Sequence, residues 1–128
     1  MTYKLNPNAP TPLYEQLAGQ LRRKILGGEL KAMERLSSAR DLSAELKINL
    51  LTVTKVYGLL VDEGLLEIKR GMGTFVTKLS GEELQRHRGR LLYEQLEGFC
   101  EAAKELGYSS DETVSLLRNY FKNKAGEE

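Results

Sequence analysis

The segment NLLTVTKVYGLLVDEG, residues 49–64, has the pattern of a helix with one buried face. Its apolar side chains recur at positions i, i+3, i+4, i+7 and i+8 and therefore share a face: Val53, Val56, Tyr57, Leu60 and Val61. The side-chain oxygen of Asn49 can cap the first turn by accepting a backbone N–H. Gly64 can end the helix in a left-handed conformation at little steric cost. We therefore predict one packed helix between these two residues.

The opposite face of this helix carries polar groups in its first turns. They are the hydroxyls of Thr52 and Thr54 and the ammonium of Lys55, beside the apolar Leu51. A DNA-recognition helix has this layout, because its first turns enter the major groove. Most amphipathic helices only pack against a core, so this segment alone does not establish DNA binding.

The sequence before this segment begins with residues that predict an extended arm, followed by a first helix. Residues 1–11 contain prolines and asparagines, which are unsuited to a helix interior, whereas Pro12 suits a first helical turn. Apolar residues then recur with helical spacing over Leu13–Leu26. Gly27 and Gly28 are expected to end this helix.

A short second helix is predicted over Ser38–Lys47, where Ser38 can act as the N-cap. We expect the connector before it, residues 28–37, to place Leu30 and Leu36 in the core through a short extended segment. A break at Lys47–Ile48 then leads into the longer helix. A short helix, a break and a longer helix follow one another in a helix-turn-helix.

Arg40 occupies an unusual position in the first turn of the short helix. The helix dipole disfavours a cation there, so this position favours a bound anion such as a DNA phosphate. A surface ion pair with Asp41 or Glu45 explains the same position equally well. The sequence leaves both interpretations open.

A two-stranded hairpin is predicted directly after the longer helix. Residues 66–70 alternate in a strand-like pattern, and Phe75 and Val76 open a second strand-like run. Between the runs, Gly71-Met72-Gly73 can supply the positive φ angles of a tight turn. Two cations lie at the base of the hairpin: Lys69 and Arg70. A helix, a helix-turn-helix and a hairpin in this order predict a winged helix.

Two amphipathic helices are predicted after the hairpin. The first runs from Ser80 to Leu106 behind a capping box, and the second begins at Ser109 or Ser110, with a frayed tail from Lys122. Their apolar faces need a cover, and a second copy of the chain would also match a two-fold DNA site. The residues predicted at this dimer interface are Leu84, Leu91, Leu92, Leu96, Phe99, Ala103, Leu117, Tyr120 and Phe121.

Composition sets bounds on the class of protein. The chain has 128 residues, a net charge of +1 and one cysteine. Cys100 lies beside the apolar stripe of the long helix, so we expect a buried thiol. The single cysteine, and an N-terminal stretch without the pattern of a signal peptide, favour a reducing, cytoplasmic setting. No apolar run approaches the length of a membrane span, so we expect no membrane partner.

Residues distributed over the predicted winged helix also form a recognisable motif. They are Pro12-Leu13-Tyr14-Glu15-Gln16-Leu17, Leu21-Arg22, Ile25, Gly28, Leu30, Leu36, Ser38, Arg40, Leu42, Asn49, Thr52-Val53, Tyr57, Leu60, Glu63-Gly64-Leu65, Gly71 and Gly73-Thr74-Phe75-Val76. Through them the chain resembles the GntR family of bacterial transcription regulators over residues 12–77. The length and pattern of the C-terminal part resemble the YtrA subfamily.

The resemblance implies a homodimeric repressor that binds a near-palindromic operator on double-stranded DNA. It implies that Arg40 holds a phosphate, that the start of the recognition helix faces the major groove, and that the wing glycines let the hairpin tip approach the minor groove. The residues that we predict to bind DNA are Arg40, Leu50, Leu51, Thr52, Thr54, Lys55, Lys69, Arg70, Gly71, Met72 and Gly73.

Several residues depart from the family pattern. Ala32-Met33 stands where the family usually has Pro-Gly, and Leu36-Ser37-Ser38 where it has Leu-Pro-Ser. Leu50 stands where many members have arginine or proline, and Leu51 stands at a position that is often polar. Met72 replaces a frequent arginine at the wing tip. The two leucines can touch thymine methyl groups, or they can be exposed apolar residues that weaken binding.

The predicted fold is α+β and mostly α, with a winged helix-turn-helix over residues 1–78 and a two-helix dimerisation segment over residues 79–128. The predicted function is DNA-binding transcriptional regulation as a homodimeric repressor. The alternative is a winged-helix module that binds another protein through Leu50 and Leu51. We expect no enzymatic activity, cofactor or metal, since the lone His87 lies between arginines and Cys/His spacing for a metal is missing. The sequence names no effector.

Overall fold

The computed structural model describes residues 2–127, without the side chains of residues 126 and 127. Three helices, an antiparallel hairpin and two further helices follow one another in this part of the chain. They are α1 (Leu13–Leu26), α2 (Ala39–Leu46), α3 (Leu50–Asp62), β1 (Leu66–Lys69), β2 (Gly73–Val76), α4 (Gly81–Glu105) and α5 (Ser110–Glu127). The predicted winged helix-turn-helix with a helical C-terminal segment is confirmed.

The core of the winged helix forms around α3, which packs against α1, α2 and β1. Val53, Val56 and Leu60 on the predicted inner face of α3 are fully buried. The O–H of Tyr57 donates to the carbonyl oxygen of Ser37 at 2.7 Å. Burying these apolar side chains supplies most of the stabilisation of the domain.

Local capping sets the ends of α2 and α3 as the sequence predicts. The Ser38 hydroxyl accepts from the Asp41 N–H at 3.0 Å, and the Asn49 side-chain oxygen accepts from the Leu51 N–H at 2.8 Å. Lys47 adopts a left-handed conformation with φ of 56°. That residue reverses the chain between the two helices and produces the predicted break.

The hairpin is extended by a short piece of the connector. Leu66 pairs with Val76 and Lys69 with Gly73 across the antiparallel strands. On the other side of β2, the Leu36 N–H donates to the Thr74 carbonyl at 2.8 Å, and the Val76 N–H donates to the Glu34 carbonyl at 2.9 Å. The expected extended segment in the connector is therefore confirmed, and it attaches the wing to the helical core.

An ion pair joins the first helix to the end of the third. Arg22 donates from Nε to Glu63 Oε1 at 2.8 Å and from Nη2 to Glu63 Oε2 at 2.7 Å. Such a two-point arginine–carboxylate contact fixes orientation as well as distance. It holds α1 against α3, whose outer face is the candidate site.

The chain divides into two compact units, Met1–Leu84 and Gln85–Glu128. Among the residues that the structure describes, every buried apolar residue except Ala103 lies in the first unit. The second unit leaves large side chains such as Leu92, Phe99 and Phe121 exposed. The assignment of residues 1–78 to DNA binding and 79–128 to dimerisation stays a prediction.

Two expectations for the C-terminal helices are wrong. Helix α5 continues to Glu127 instead of fraying from Lys122, because the lysines and Ala125 favour helix and no proline interrupts them. Cys100 is exposed, so it is not a buried thiol, because its side of α4 is uncovered within one chain.

Candidate nucleic-acid interface

The outer face of α3 has an apolar centre with polar residues beside it. Leu51 is 74% exposed, and Thr54 and Lys55 are exposed on either side of it. Leu50 and Thr52 are only half-buried, so part of each remains accessible. The residues that the sequence predicts at the start of this helix therefore share one surface.

Lys55 lies on the side of α3 that faces α1. Its ammonium is 3.5 Å from the centroid of the Tyr14 ring, which is cation–π distance. The Tyr14 O–H donates to Glu15 Oε1 at 3.2 Å, and this hydrogen bond raises the pKa of Tyr14. Sequence periodicity does not reveal this contact, because Tyr14 and Lys55 belong to different helices.

Arg40 is exposed in the first turn of α2. Among the described residues it forms no ion pair with Asp41 or Glu45. The ion-pair interpretation of its position therefore has no support in the fold. The guanidinium stays available for an external anion.

The wing tip is exposed and carries one large apolar side chain. Arg70, Gly71 and Met72 are exposed between the strands, with Met72 at 60%. Gly71 and Gly73 have φ angles of +76° and +121°, as the predicted turn requires. Larger side chains would be strained at these two positions.

Lys69 is turned back onto the hairpin instead of outward. Its ammonium is 5.0 Å from the centroid of the Phe75 ring and 4.0 Å from Glu67 Oε1. The structure therefore separates Lys69 from the exposed wing tip. Arg70 is the more accessible of the two cations that the sequence places at the base of the hairpin.

A groove separates α3 from the hairpin, with a volume of about 360 Å³. Its residues come from the connector, α2, α3 and both strands, and include Arg35, Ser38, Thr54, Gly58, Gly73 and Thr74. Sequence reasoning missed Arg35, because a connector has no periodicity that assigns a face. The predicted extended segment in the connector was the one feature of the sequence that could have indicated a position for Arg35 near the hairpin.

The N-terminal arm is docked on α1, which the sequence did not predict. The Gln16 amide donates to the carbonyls of Asn6 and Thr11 at 2.9 and 2.7 Å. Gln20 Oε1 accepts from the Lys4 N–H at 2.8 Å. Gln16 and Gln20 are four residues apart and so share a helix face, a signal that the pattern contained.

The predicted dimerisation residues are mostly exposed in the single chain. Leu84 and Leu91 are half-buried, and Ala103 is buried. The others are exposed: Leu92, Leu96, Phe99, Leu117, Tyr120 and Phe121. An open apolar depression of about 500 Å³ in the second unit contains Leu92, Leu96, Phe99 and Leu117.

Within the described residues, no cluster of three or more histidine, cysteine, aspartate or glutamate side chains has the arrangement of a metal site. No described helix combines the length and the apolar character that crossing a bilayer requires.

Known proteins resemble this chain over most of its length. The family of "Bacterial regulatory proteins, gntR family" matches residues 13–76. The uncharacterized HTH-type transcriptional regulator YhcF of Bacillus subtilis is 30% identical over 109 residues, covering 85% of this chain and 89% of that protein. The HTH-type transcriptional repressor YtrA of Bacillus subtilis is 33% identical over 93 residues, covering 73% and 72% respectively.

A solved structure confirms the fold. A GntR family transcriptional regulator from Listeria monocytogenes matches with a TM-score of 0.79 at 20% identity, covering 88% of this chain and 97% of that one. Together with the matching residues 13–76, these similarities confirm the resemblance seen in the motif. The chain belongs to the GntR family of bacterial transcription regulators, in its YtrA-like branch, and is a DNA-binding transcriptional regulator with a winged helix-turn-helix.

Proposed function

We propose that the chain represses transcription as a homodimer by occupying a near-palindromic operator. The observation that carries this proposal is the open outer face of α3, on which Leu51, Thr54 and Lys55 are exposed. The first turns of α3 enter the major groove, and the Gly71 turn approaches the adjacent minor groove. Occupancy of the operator then blocks RNA polymerase.

Phosphate contacts supply most of the affinity in this proposal. Arg40, Lys55 and Arg70 are exposed cations of the first unit, and neutralising phosphates releases counterions. Thr52, Thr54 and Leu51 contact base edges and provide specificity, because only the base edges differ between sequences. Leu51 suits a thymine methyl group, since its exposed side chain has no hydrogen-bonding atom.

A second copy of the chain covers the apolar surface of the second unit in this proposal. Leu92, Phe99 and Phe121 are exposed at 70%, 41% and 65%, and contiguous exposed apolar surface marks an interaction site. A two-fold dimer presents two copies of α3 to the two halves of a palindrome. Operator symmetry thereby follows from protein symmetry.

The alternative function is a protein-binding winged helix. Its specific support is that the exposed large apolar residues Leu51, Ile68 and Met72 occur on α3 and the hairpin, where cations would favour DNA. A protein partner would cover these three side chains. The two functions predict different consequences for Arg40, because a phosphate ligand matters only for DNA.

The proposed activity is binding without chemistry. Family members are regulators by description, and the proposed residues contact DNA through hydrogen bonds, ion pairs and apolar surface. We place the protein in the cytoplasm, where its DNA partner lies in a bacterium. No effector follows from the residues described.

Fluorescence anisotropy tests the function, with the DNA upstream of the coding sequence and a scrambled duplex as control. Native DNA is expected to bind at least tenfold more tightly than scrambled DNA, with log K falling linearly with log salt. Arg40→Ala is expected to abolish operator binding, whereas Arg23→Ala, another exposed arginine, retains it. Equal weak binding of both duplexes by the wild-type protein would contradict specific DNA recognition and favour the protein-binding alternative.

A further inference from the structure

The groove between α3 and the hairpin combines apolar residues such as Leu36 and Ile68 with hydroxyl groups and one arginine. Hydroxyl groups come from Ser38 at the start of α2, Thr54 on α3 and Thr74 on β2. The α3 side of the groove is open at Gly58, where an added Cβ would meet no atom within 4 Å. The groove therefore offers donors and space between the two elements proposed to contact DNA.

Arg35 supplies the positive charge of this groove. Its backbone bridges to Phe75, and its guanidinium crosses Gly73, where an added Cβ would lie 2.9 Å from Arg35 Nε. Within the described residues it forms no ion pair with a carboxylate. The cation is thus held against the hairpin while its charge is not neutralised by the protein.

In the proposed complex with duplex DNA, one strand would pass along this groove. The sugar-phosphate backbone separates the major groove from the adjacent minor groove. A protein with α3 in one groove and the hairpin tip in the other must therefore let one strand pass between these elements. The groove between α3 and the hairpin lies where that strand would pass.

We infer that this groove binds one backbone phosphate of double-stranded DNA, with Arg35 as its cation and the hydroxyls of Thr54 and Thr74 as further donors. The inference rests on the proposed DNA-binding function and deepens it. A phosphate contact carries no sequence information directly. Arg35 therefore contributes affinity and orientation on both specific and non-specific DNA.

Salt-dependent anisotropy with Arg35→Gln tests the inference. Each protomer of the proposed homodimer loses one phosphate contact, so the magnitude of the slope of log K against log salt is expected to fall by about 1.8. Affinity should fall by a similar factor for operator and scrambled DNA, on the order of tenfold to a hundredfold near 0.1 M salt. Arg23→Gln removes the same charge from an exposed site beside Thr2, Lys4 and Gln20, and is expected to change the slope by less than half as much.

A pair of substitutions at Gly58 tests the same groove without altering Arg35. Gly58→Glu places a carboxylate in the groove and is expected to weaken binding of both duplexes at least tenfold by repelling the phosphate. Gly58→Ala adds a methyl group into open space and is expected to change affinity less than twofold. Circular dichroism of each variant checks that the fold is retained.

The outcomes separate this inference from the proposed function. If wild-type protein binds its operator but Arg35→Gln and Arg23→Gln have equal slopes, the groove holds no phosphate and the regulatory function stands. Tight binding by Gly58→Glu would overturn the inference in the same way. Failure of the wild-type protein to bind any duplex would instead remove the proposed function on which the inference rests.

Discussion

The two units of the chain differ in how far their apolar residues are buried. The first unit buries side chains from α1, α2, α3 and the hairpin around Leu17, Val53 and Leu60, all fully buried. The second unit consists of helical segments whose Leu92, Phe99 and Tyr120 remain exposed. A small domain can close a core when several elements surround one helix, whereas two helices leave one side uncovered. From this difference we propose that the first unit folds by itself and that the second associates with another copy of the chain.

The largest effect is expected from a charged residue introduced into the exposed apolar surface of the second unit. Phe99→Glu is expected to convert the proposed dimer to a monomer, because the carboxylate would be desolvated at the interface. Affinity for a two-half-site operator should fall on the order of 10²- to 10⁴-fold, since avidity is lost, while a single half-site is bound as before. Light scattering and anisotropy measure the two effects.

The matched control for this variant is Arg90→Glu, which changes charge at an exposed position on the other side of α4. It is expected to remain dimeric. A dimer that survives Phe99→Glu would place the self-association surface outside this apolar stripe.

A cavity in the first unit should lower stability independently of protein concentration. Leu60→Ala removes a fully buried side chain from α3, and the expected loss is about 2–5 kcal/mol in the free energy of unfolding. Leu117→Ala, at a 45% exposed position of the second unit, should destabilise only at concentrations where the dimer forms. Urea unfolding at two protein concentrations distinguishes these cases. Equal concentration dependence for both variants would contradict the division of roles.

Removal of one hydroxyl tests the polar contact within the core of the first unit. Tyr57→Phe leaves the Ser37 carbonyl without its 2.7 Å donor and is expected to cost about 1 kcal/mol at neutral pH. Burial raises the pKa of Tyr57, so the folded state retains this proton more strongly than the unfolded state. The resulting stability is present below about pH 10 and is lost as pH rises above it.

Thermal unfolding between pH 8 and pH 11 follows this effect. Wild-type protein should lose stability above pH 10 more steeply than Tyr57→Phe. Burial also raises the pKa of Tyr3, to about 12, so part of the alkaline loss should persist in the variant. Parallel curves for the two proteins would show that Tyr57 does not contribute.

A gain of stability is expected at one strained position of the first unit. Met33 has a left-handed backbone with φ of 71°, which costs a non-glycine residue about 1 kcal/mol or more. Met33→Gly is expected to raise the free energy of unfolding by up to about 1 kcal/mol, because glycine relieves the strain but loses more entropy on folding. Met33→Ala keeps the strained conformation and serves as the control in calorimetry. An unchanged melting temperature for Met33→Gly would argue against strain.

Prediction from the sequence succeeded where the deciding interactions are local. Helix α1 has the predicted bounds Leu13–Leu26, and Ser80 and Glu83 form the predicted reciprocal cap at 3.0 and 3.1 Å. These features depend on residues three or four positions apart. The predicted burial of Cys100 was wrong, because amphipathic spacing identifies an apolar stripe but does not show whether the same chain covers it.

Only part of the candidate site could be predicted from the sequence. Periodicity placed Leu51, Thr54 and Lys55 on the outer face of α3, because helical geometry alone relates them. It did not place Arg35 in the groove beside Gly73, since that contact depends on how the connector pairs with the hairpin. Nor did it show the ring of Tyr14 beneath Lys55.

The sequence by itself determined the order, capping and apolar faces of the elements, because these follow from backbone geometry over one or two turns. Only the tertiary structure decided which cations are free and which are held. Arg22 is bound by Glu63, 41 residues away, whereas Arg40 forms no ion pair with a described residue. Contacts of this kind arise when distant segments pack together, and no local spacing encodes their geometry.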